Sequence, residues 1–347
     1  MEISDAVKLL YQNEFGGGHM IKYEAASLRR LIEEEQKRNQ ERAGDGEAGT
    51  WNRKGLGLWE PVGNGLGRLS LDVLQEGLNP QTMNRMFVLT ANAVQGTKEG
   101  FEQKLKLLEQ CIEEKRMGFS LEEFRKYLAC YQEQGYPAVS HSRAYHDAYD
   151  PSYRIVGEQF WDFMEVFLAM DRLLSEEEGA VTVFIDGKSG SGKSTLGALL
   201  EAVYGCGLIH MDDFFLQPFQ RTEDRFLEPG GNVDYERFAG EVLMHLQSEE
   251  GFSYQVYDCR TQMLAGKRTV APGRVKVVEG VYSHHPGFGE VPGLRIFLSV
   301  GEEMQRERIR RRNGEEMLKR FLEEWIPLEN RYFDVCGIPE KSHIRIG

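Results

Sequence analysis

The sequence predicts an α/β domain built on a doubly wound parallel sheet, preceded by a mainly helical segment of similar length. Three observations lead there. Beyond about residue 179, short apolar runs alternate with helical stretches, the pattern of strands joined by crossover helices. One strand–helix junction carries Gly187-Lys188-Ser189-Gly190-Ser191-Gly192-Lys193-Ser194-Thr195, which fits G-x-x-x-x-G-K-[ST]. Between Gln95 and Leu174 the apolar spacing is helical instead.

In chain order, Glu14-Phe15-Gly16-Gly17-Gly18-His19 comes first. Its glycines permit close backbone approach to a ligand, and a turn between two helices accounts for them equally well. A segment from about Glu41 to Gly57, rich in Gly, Ala and charge, reads as a mobile loop. Phe101, Leu105, Leu108 and Ile112 then share one helical face, and Leu121, Phe124 and Leu128 another, with Ser120 and Glu123 as a capping box. A polar-aromatic cluster follows, from Tyr136 and His141 through Arg143, Tyr145, His146 and Tyr149 to Tyr153 and Arg154. It suits either a phosphate or sugar ligand or tyrosines packed with wet hydroxyls. His141 and His146 miss the i, i+4 register of a helical metal pair. Pro151 ends the helix that carries Tyr145 and Tyr149. A third helix is expected from Gly157 to Leu174, with Phe160, Phe163, Met164 and Phe167 inward. The acidic run from Ser175 to Gly179 marks the boundary, giving domains 1–175 and 179–347. No family resemblance attaches to the first domain.

In the second domain Val181 to Ile185 reads as a buried strand and Leu196 to Tyr204 as the helix after the glycine-rich turn. Further strands are expected at Leu208 to Met211, Val275 to Val278, Leu294 to Leu298 and His343 to Ile346. Ligands in such sheets bind at the carboxyl ends of the strands.

Composition narrows the class. The chain has 347 residues, with 41% hydrophobic and 28% charged, an ordinary globular balance. A net charge of −13 argues against general nucleic-acid or anionic-membrane binding. No stretch is apolar enough to span a bilayer, and the first residues lack signal-peptide features. Cys111, Cys130, Cys206, Cys259 and Cys336 form no C-x-x-C pair and read as reduced, mostly buried thiols. A cytoplasmic location is the expectation, and a homo-oligomer is compatible with the composition.

The glycine-rich turn specifies chemistry. Its amides can form an anion nest at a helix N-terminus, Lys193 can reach the β- and γ-phosphates, and Ser194 can ligate Mg²⁺. Gly187, Ser189, Gly190, Ser191, Gly192, Lys193, Ser194 and Thr195 are the residues expected to hold ATP. At average residue usage, an accidental match in such a chain has a chance on the order of one per cent. Asp212 or Asp213, at the end of the second strand, is placed to orient or deprotonate an acceptor hydroxyl. Glu279, at the end of the third, could hold Mg²⁺ directly or through water.

Ile185-Asp186-Gly187, Met211-Asp212-Asp213-Phe214-Phe215 and Val277-Val278-Glu279-Gly280, in that order, resemble the uridine kinase/phosphoribulokinase family of P-loop kinases. That family includes nicotinamide riboside and pantothenate kinases, and the resemblance runs from about Ala180 to the end of the chain. It implies a P-loop NTPase fold with Asp212, rather than Asp213, as base. Asn232-Val233-Asp234-Tyr235 resembles the segment whose aspartate binds the nucleoside, which implicates Asp234. Val256-Tyr257-Asp258 resembles the stretch lining the acceptor base, which implicates Tyr257 in stacking. Gln262 stands where uridine-cytidine kinases carry a histidine, so the base-reading contact differs. The stretch from Arg306 to Arg312 resembles the family's arginine-rich lid, with Arg308 and Arg312 assigned to the nucleotide.

The leading expectation is therefore ATP- and Mg²⁺-dependent phosphoryl transfer to a hydroxyl of a small metabolite, a nucleoside first. The alternative is a nucleotide-gated regulatory ATPase whose first domain binds a partner or ligand. A nucleic-acid kinase fits the acidic composition less well.

Overall fold

The computed structural model describes residues 1–44 and 57–347, the side chains of 42–44 excepted. The chain divides into two compact units, Met1–Asp171 and Arg172–Gly347. Among the described residues, no helix is long and apolar enough to cross a membrane.

In the first unit, helices α1 (Ile3–Phe15), α2 (Glu24–Gly44), α3 (Pro80–Ala93), α4 (Lys98–Glu113), α5 (Leu121–Glu133) and α6 (Arg143–Tyr149) accompany a small sheet. Its strands are β1 (Trp59–Gly63), β2 (Leu66–Ser70) and β3 (Tyr153–Gly157), in the order β1-β2-β3 and antiparallel throughout. Short α7 (Glu158–Asp162) and α8 (Met164–Glu176) follow, and the division between the units falls inside α8. Residues 41–44 of the expected loop belong to α2, and 45–56 lie outside the described residues.

The sheet corrects the all-helical expectation for Gln95–Leu174. Tyr153–Gly157 pairs with β2 from Ser70 to Leu66, a partnership far too distant in sequence for local periodicity to reveal. The β1–β2 turn carries Asn64 and Gly65 with φ of 57° and 67°, the left-handed pair that suits a tight hairpin. The single helix expected from Gly157 is broken at Phe163, where φ is −111°. The capping box is half formed: Ser120 Oγ accepts the Glu123 amide at 3.4 Å, without a return bond from Glu123.

Val7, Phe101, Leu105, Ile112, Phe124 and Tyr131 form the main helical core, so the predicted apolar faces meet one another. Gly17 passes so close to Phe87 that an added Cβ would lie 2.3 Å from the ring. Packing, rather than a ligand, accounts for a glycine here. Gly17→Ala is expected to lower stability by about 1–3 kcal/mol through overpacking, measured as a lower urea midpoint; an unchanged midpoint would show that Phe87 yields freely.

The polar-aromatic cluster is closed upon itself. His141 Nε2 lies 2.6 Å from the Tyr153 hydroxyl, and its ring stacks on Tyr145 with centroids 4.1 Å apart. Asp5 accepts both the amide and the hydroxyl of Ser142. Arg68 donates to Gln12, Glu60 and Tyr145. Burial, with Lys8 and Arg68 nearby, pushes His141 down to about 3, so the imidazole is neutral.

The second unit centres on five parallel strands: β4 (Val181–Gly187), β5 (Gly207–His210), β8 (Val275–Glu279), β9 (Leu294–Leu298) and β10 (Ile344–Ile346). They run in the order β10-β9-β4-β8-β5. β4 and β8 are buried along their whole length, as inner strands covered on both faces must be. Helices α9 (Lys193–Tyr204), α10 (Glu223–Leu227), α11 (Tyr235–Glu241), α12 (Glu302–Asn313), α13 (Glu315–Arg320), α14 (Ile326–Cys336) and α15 (Ile338–Lys341) connect and flank them. An antiparallel hairpin, β6 (Phe252–Asp258) and β7 (Met263–Val270), stands apart from the main sheet. The core joins Phe184, Ile209, Val278 and Phe297 of the sheet to Phe214, Phe238, Tyr254 and Tyr332 around it. The thiols are free, but Cys130 and Cys259 are exposed and only Cys206 is fully buried, against the expectation of mostly buried cysteines.

Candidate active site

The site grows from the end of β4. Gly190 and Gly192 adopt φ of 76° and 108°, a left-handed geometry that costs other residues strain and turns successive amides inward. Among the described residues, the amides of Gly190, Gly192, Lys193 and Ser194 have no protein acceptor. The carbonyls are pinned from the other side by α12. Gln305 Nε2 donates to Ser189 O at 2.9 Å and Arg308 Nη1 to Gly190 O at 3.0 Å. Lys193 is folded back, its Nζ donating to the carbonyls of Gly187 at 2.8 Å and Lys188 at 2.9 Å. The Ser191 hydroxyl is buried and, among the described residues, has no hydrogen-bond partner.

Beside the loop, Ser194 Oγ donates to Glu279 Oε2 at 3.0 Å, while His210 Nδ1 sits 2.5 Å from Glu279 Oε1. The carboxylate raises the His210 pKa above the ordinary imidazole value. His210 was not anticipated; its position at the end of β5, level with Glu279 on β8, is the signal that points to it. Free amides, a lysine and a hydroxyl–carboxylate pair fit a triphosphate with Mg²⁺. Among the described residues there is no group of three or more His, Cys, Asp or Glu able to cage a metal. Mg²⁺ needs no such cage, since it keeps waters and leans on substrate phosphates.

The two adjacent aspartates separate clearly. Asp213 is buried and occupied: its Oδ2 accepts the Tyr254 hydroxyl at 2.9 Å and Arg268 Nε at 2.8 Å. Asp212 is exposed and, among the described residues, has no hydrogen-bond partner. Enclosure by the surrounding protein pushes its carboxyl above the usual range; Glu279 and Asp213 add to this, and Lys193 and Arg312 oppose it. That balance places Lys193 and Arg312 within electrostatic reach of Asp212.

The acceptor-side residues are less converged. Asp234 is buried, caps α11 through the Arg237 amide at 3.1 Å and pairs with the Arg237 guanidinium at 3.5 Å. Tyr257 is 4% exposed, and its hydroxyl is held by Arg221 at 2.5 Å; a ring so covered offers no open face for stacking. Gln262 lies at the tip of the β6–β7 hairpin with φ of 55°. Arg312 Nε donates to Asn313 at the exposed end of α12.

Asp186 ties the site together. Fully buried, it accepts the amides of Gly187 at 2.7 Å, Tyr282 at 3.2 Å and His284 at 3.0 Å, and the Tyr332 hydroxyl at 2.8 Å. Tyr282 has φ of 76°, a strained conformation for a bulky residue, and this hydrogen bond holds it there. Asp186→Ala is expected to cost about 3 kcal/mol or more, because several buried donors lose their acceptor. Thermal melting should read this as a fall of roughly 6–12 °C; a fall of a degree or two would exclude the hub role.

Strand β4, the glycine turn and α9 on a parallel sheet define a P-loop NTPase fold. No family model matches the chain, and no curated protein matches it. Solved structures similar to it include two proteins provisionally described as kinases. One is a uridine kinase from Bacillus stearothermophilus, 20% identical over 55% of this chain and 100% of that one, TM-score 0.42. The other is a fructose transport system kinase from Silicibacter sp. TM1040, 23% identical over 52% and 95%, TM-score 0.41. Shikimate kinase from Acinetobacter baumannii is 18% identical over 50% and 86%, TM-score 0.28.

Proposed function

We propose that the second unit is an ATP- and Mg²⁺-dependent kinase acting on a hydroxyl of a small metabolite, with a nucleoside as the first acceptor class to test. The observation that carries this reading is Asp212, a carboxylate without a hydrogen-bond partner among the described residues, electrostatically coupled to P-loop Lys193 and to Arg312. When bound, ATP with Mg²⁺ supplies the transferable phosphoryl group and part of its counter-charge. The amides of Gly190, Gly192, Lys193 and Ser194 would hold the phosphates, and Lys193 would leave its two carbonyls to neutralise them. Ser194 and Glu279 would hold the metal, with His210 fixing the Glu279 carboxylate. Asp212 is placed to take the acceptor hydroxyl's proton, and Arg312 to screen charge that develops nearby. Arg308 acts through the loop, by anchoring the Gly190 carbonyl.

A second reading, a nucleotide-gated regulator, draws support from Asp234 and Tyr257, which are both held by internal partners. The two are separated by measuring Mg²⁺-dependent ADP formation across ribonucleosides, nicotinamide riboside, pantothenate and simple sugars, with product identified by mass. A phosphorylated product with one acceptor supports the kinase. Turnover indifferent to every acceptor supports the regulator.

A further inference from the structure

We propose that Glu329 is a further residue of the nucleotide site, a carboxylate that competes with phosphate for the P-loop and so sets nucleotide affinity. This rests on the phosphate-binding reading above. Glu329 lies on α14 and meets the loop across 140 positions of chain. Its Oε2 accepts the Ser189 amide at 3.0 Å, and its Oε1 accepts the Ser189 hydroxyl at 2.5 Å. Only 4% of the residue is exposed. An amide and a hydroxyl at the mouth of an anion nest are donors that a phosphate oxygen would also use.

The surroundings define the conflict. Lys193 on α9 and Asp186 at the end of β4 face Glu329, as does Tyr282 from the segment after β8. Tyr332, on the same helix, gives its hydroxyl to Asp186. An ionised Glu329 beside a bound triphosphate would be a like-charge contact in a poorly solvated place. Nucleotide entry therefore requires Glu329 to take up a proton or to withdraw from Ser189. Burial already raises its pKa; the Ser189 bonds and Lys193 oppose this, and Asp186 adds to it.

The sign follows from linkage. An arriving phosphate raises the Glu329 pKa further, so binding takes up a proton. Affinity is then greatest below the free-state pKa and falls as pH rises toward the bound-state value, by at most about tenfold per pH unit for one proton. A brace that merely shaped the loop would carry no such dependence.

The test is calorimetric titration of the full chain with Mg²⁺ and the non-hydrolysable analogue AMP-PNP, from about pH 5.5 to about pH 8.5. The wild-type profile is compared with that of Glu329→Gln, so that protonation of the ligand itself cancels. The expected result is tighter binding by the variant at the alkaline end, by about tenfold, and a flatter profile. Parallel profiles, or weaker alkaline binding by the variant, would overturn the proposal. Should the variant not fold, wild-type protein is titrated with sulfate, whose charge is constant over this range. Sulfate affinity that falls with pH in both the wild type and His210→Gln supports competition, and a flat profile in either overturns it. Wild-type protein that binds no nucleotide at any pH would sink the P-loop reading itself, an outcome distinct from parallel profiles.

Discussion

Lys193→Ala is expected to lower the rate of phosphoryl transfer by about 10²–10³-fold, the usual loss when one preorganised charge or donor at a transition state is removed. The fold should survive. Among the described residues, Lys193 Nζ donates to the carbonyls of Gly187 and Lys188, and losing hydrogen bonds that involve a charged group costs about 1.5–3 kcal/mol. The check is single-turnover kinetics on the acceptor found by the panel, beside a thermal melt. A variant that melts normally and turns over at wild-type rate would remove Lys193 from the mechanism.

Asp212→Asn is expected to cost about 10²–10⁴-fold in kcat, because asparagine keeps the shape but cannot receive the acceptor's proton. The pH dependence should change with it. The Asp212 carboxyl is raised by enclosure and by Glu279, and a base works only when deprotonated. Wild-type kcat/KM for the acceptor, at saturating nucleotide, should therefore fall as pH drops through a pKa above the ordinary carboxylate value, and hold level above it. The residual activity of the variant should lack that acid limb. The partner substitution Asp213→Asn separates the adjacent pair: it should act mainly on stability, since Asp213 is bound by Tyr254 and Arg268. If Asp213→Asn lost the rate and Asp212→Asn kept it, the two roles would be reversed.

The parts of the molecule readable from sequence are those written in contiguous residues. The P-loop, its strand and its helix lie within one stretch, and the buried run of β4 announces a strand covered on both faces. Helical faces such as Phe101-Leu105-Leu108-Ile112 are equally local, and all four residues are buried. What escaped is held by long-range pairing. β3 finds its partner in β2 across more than eighty positions, and nothing in Tyr153–Gly157 alone outweighs the helical pattern around it. Asn64-Gly65 did carry a hairpin signal, a dipeptide favoured in tight two-residue turns.

The same distinction divides the site. Asp212 and Glu279 stand out as acids ending apolar runs. Gln305 reaches Ser189 across 116 positions and Glu329 across 140, so neither belongs to any local motif. Sequence resemblance also cannot show what a residue is already bonded to. Asp234 and Tyr257 match a pattern, yet the folded chain engages one as a helix cap and covers the ring of the other.

The four donors that converge on Asp186 bear on how the molecule is made. One comes from the residue immediately after it, two from the turn beyond β8, and the last from α14. A ribosome therefore releases the phosphate loop well before the groups that fix its base have been synthesised. Until α14 emerges, Asp186 lacks its Tyr332 donor, so the support at the base of the loop is one buried hydrogen bond short. The buried hub beneath the loop is therefore completed only late in translation, once α14 has been made.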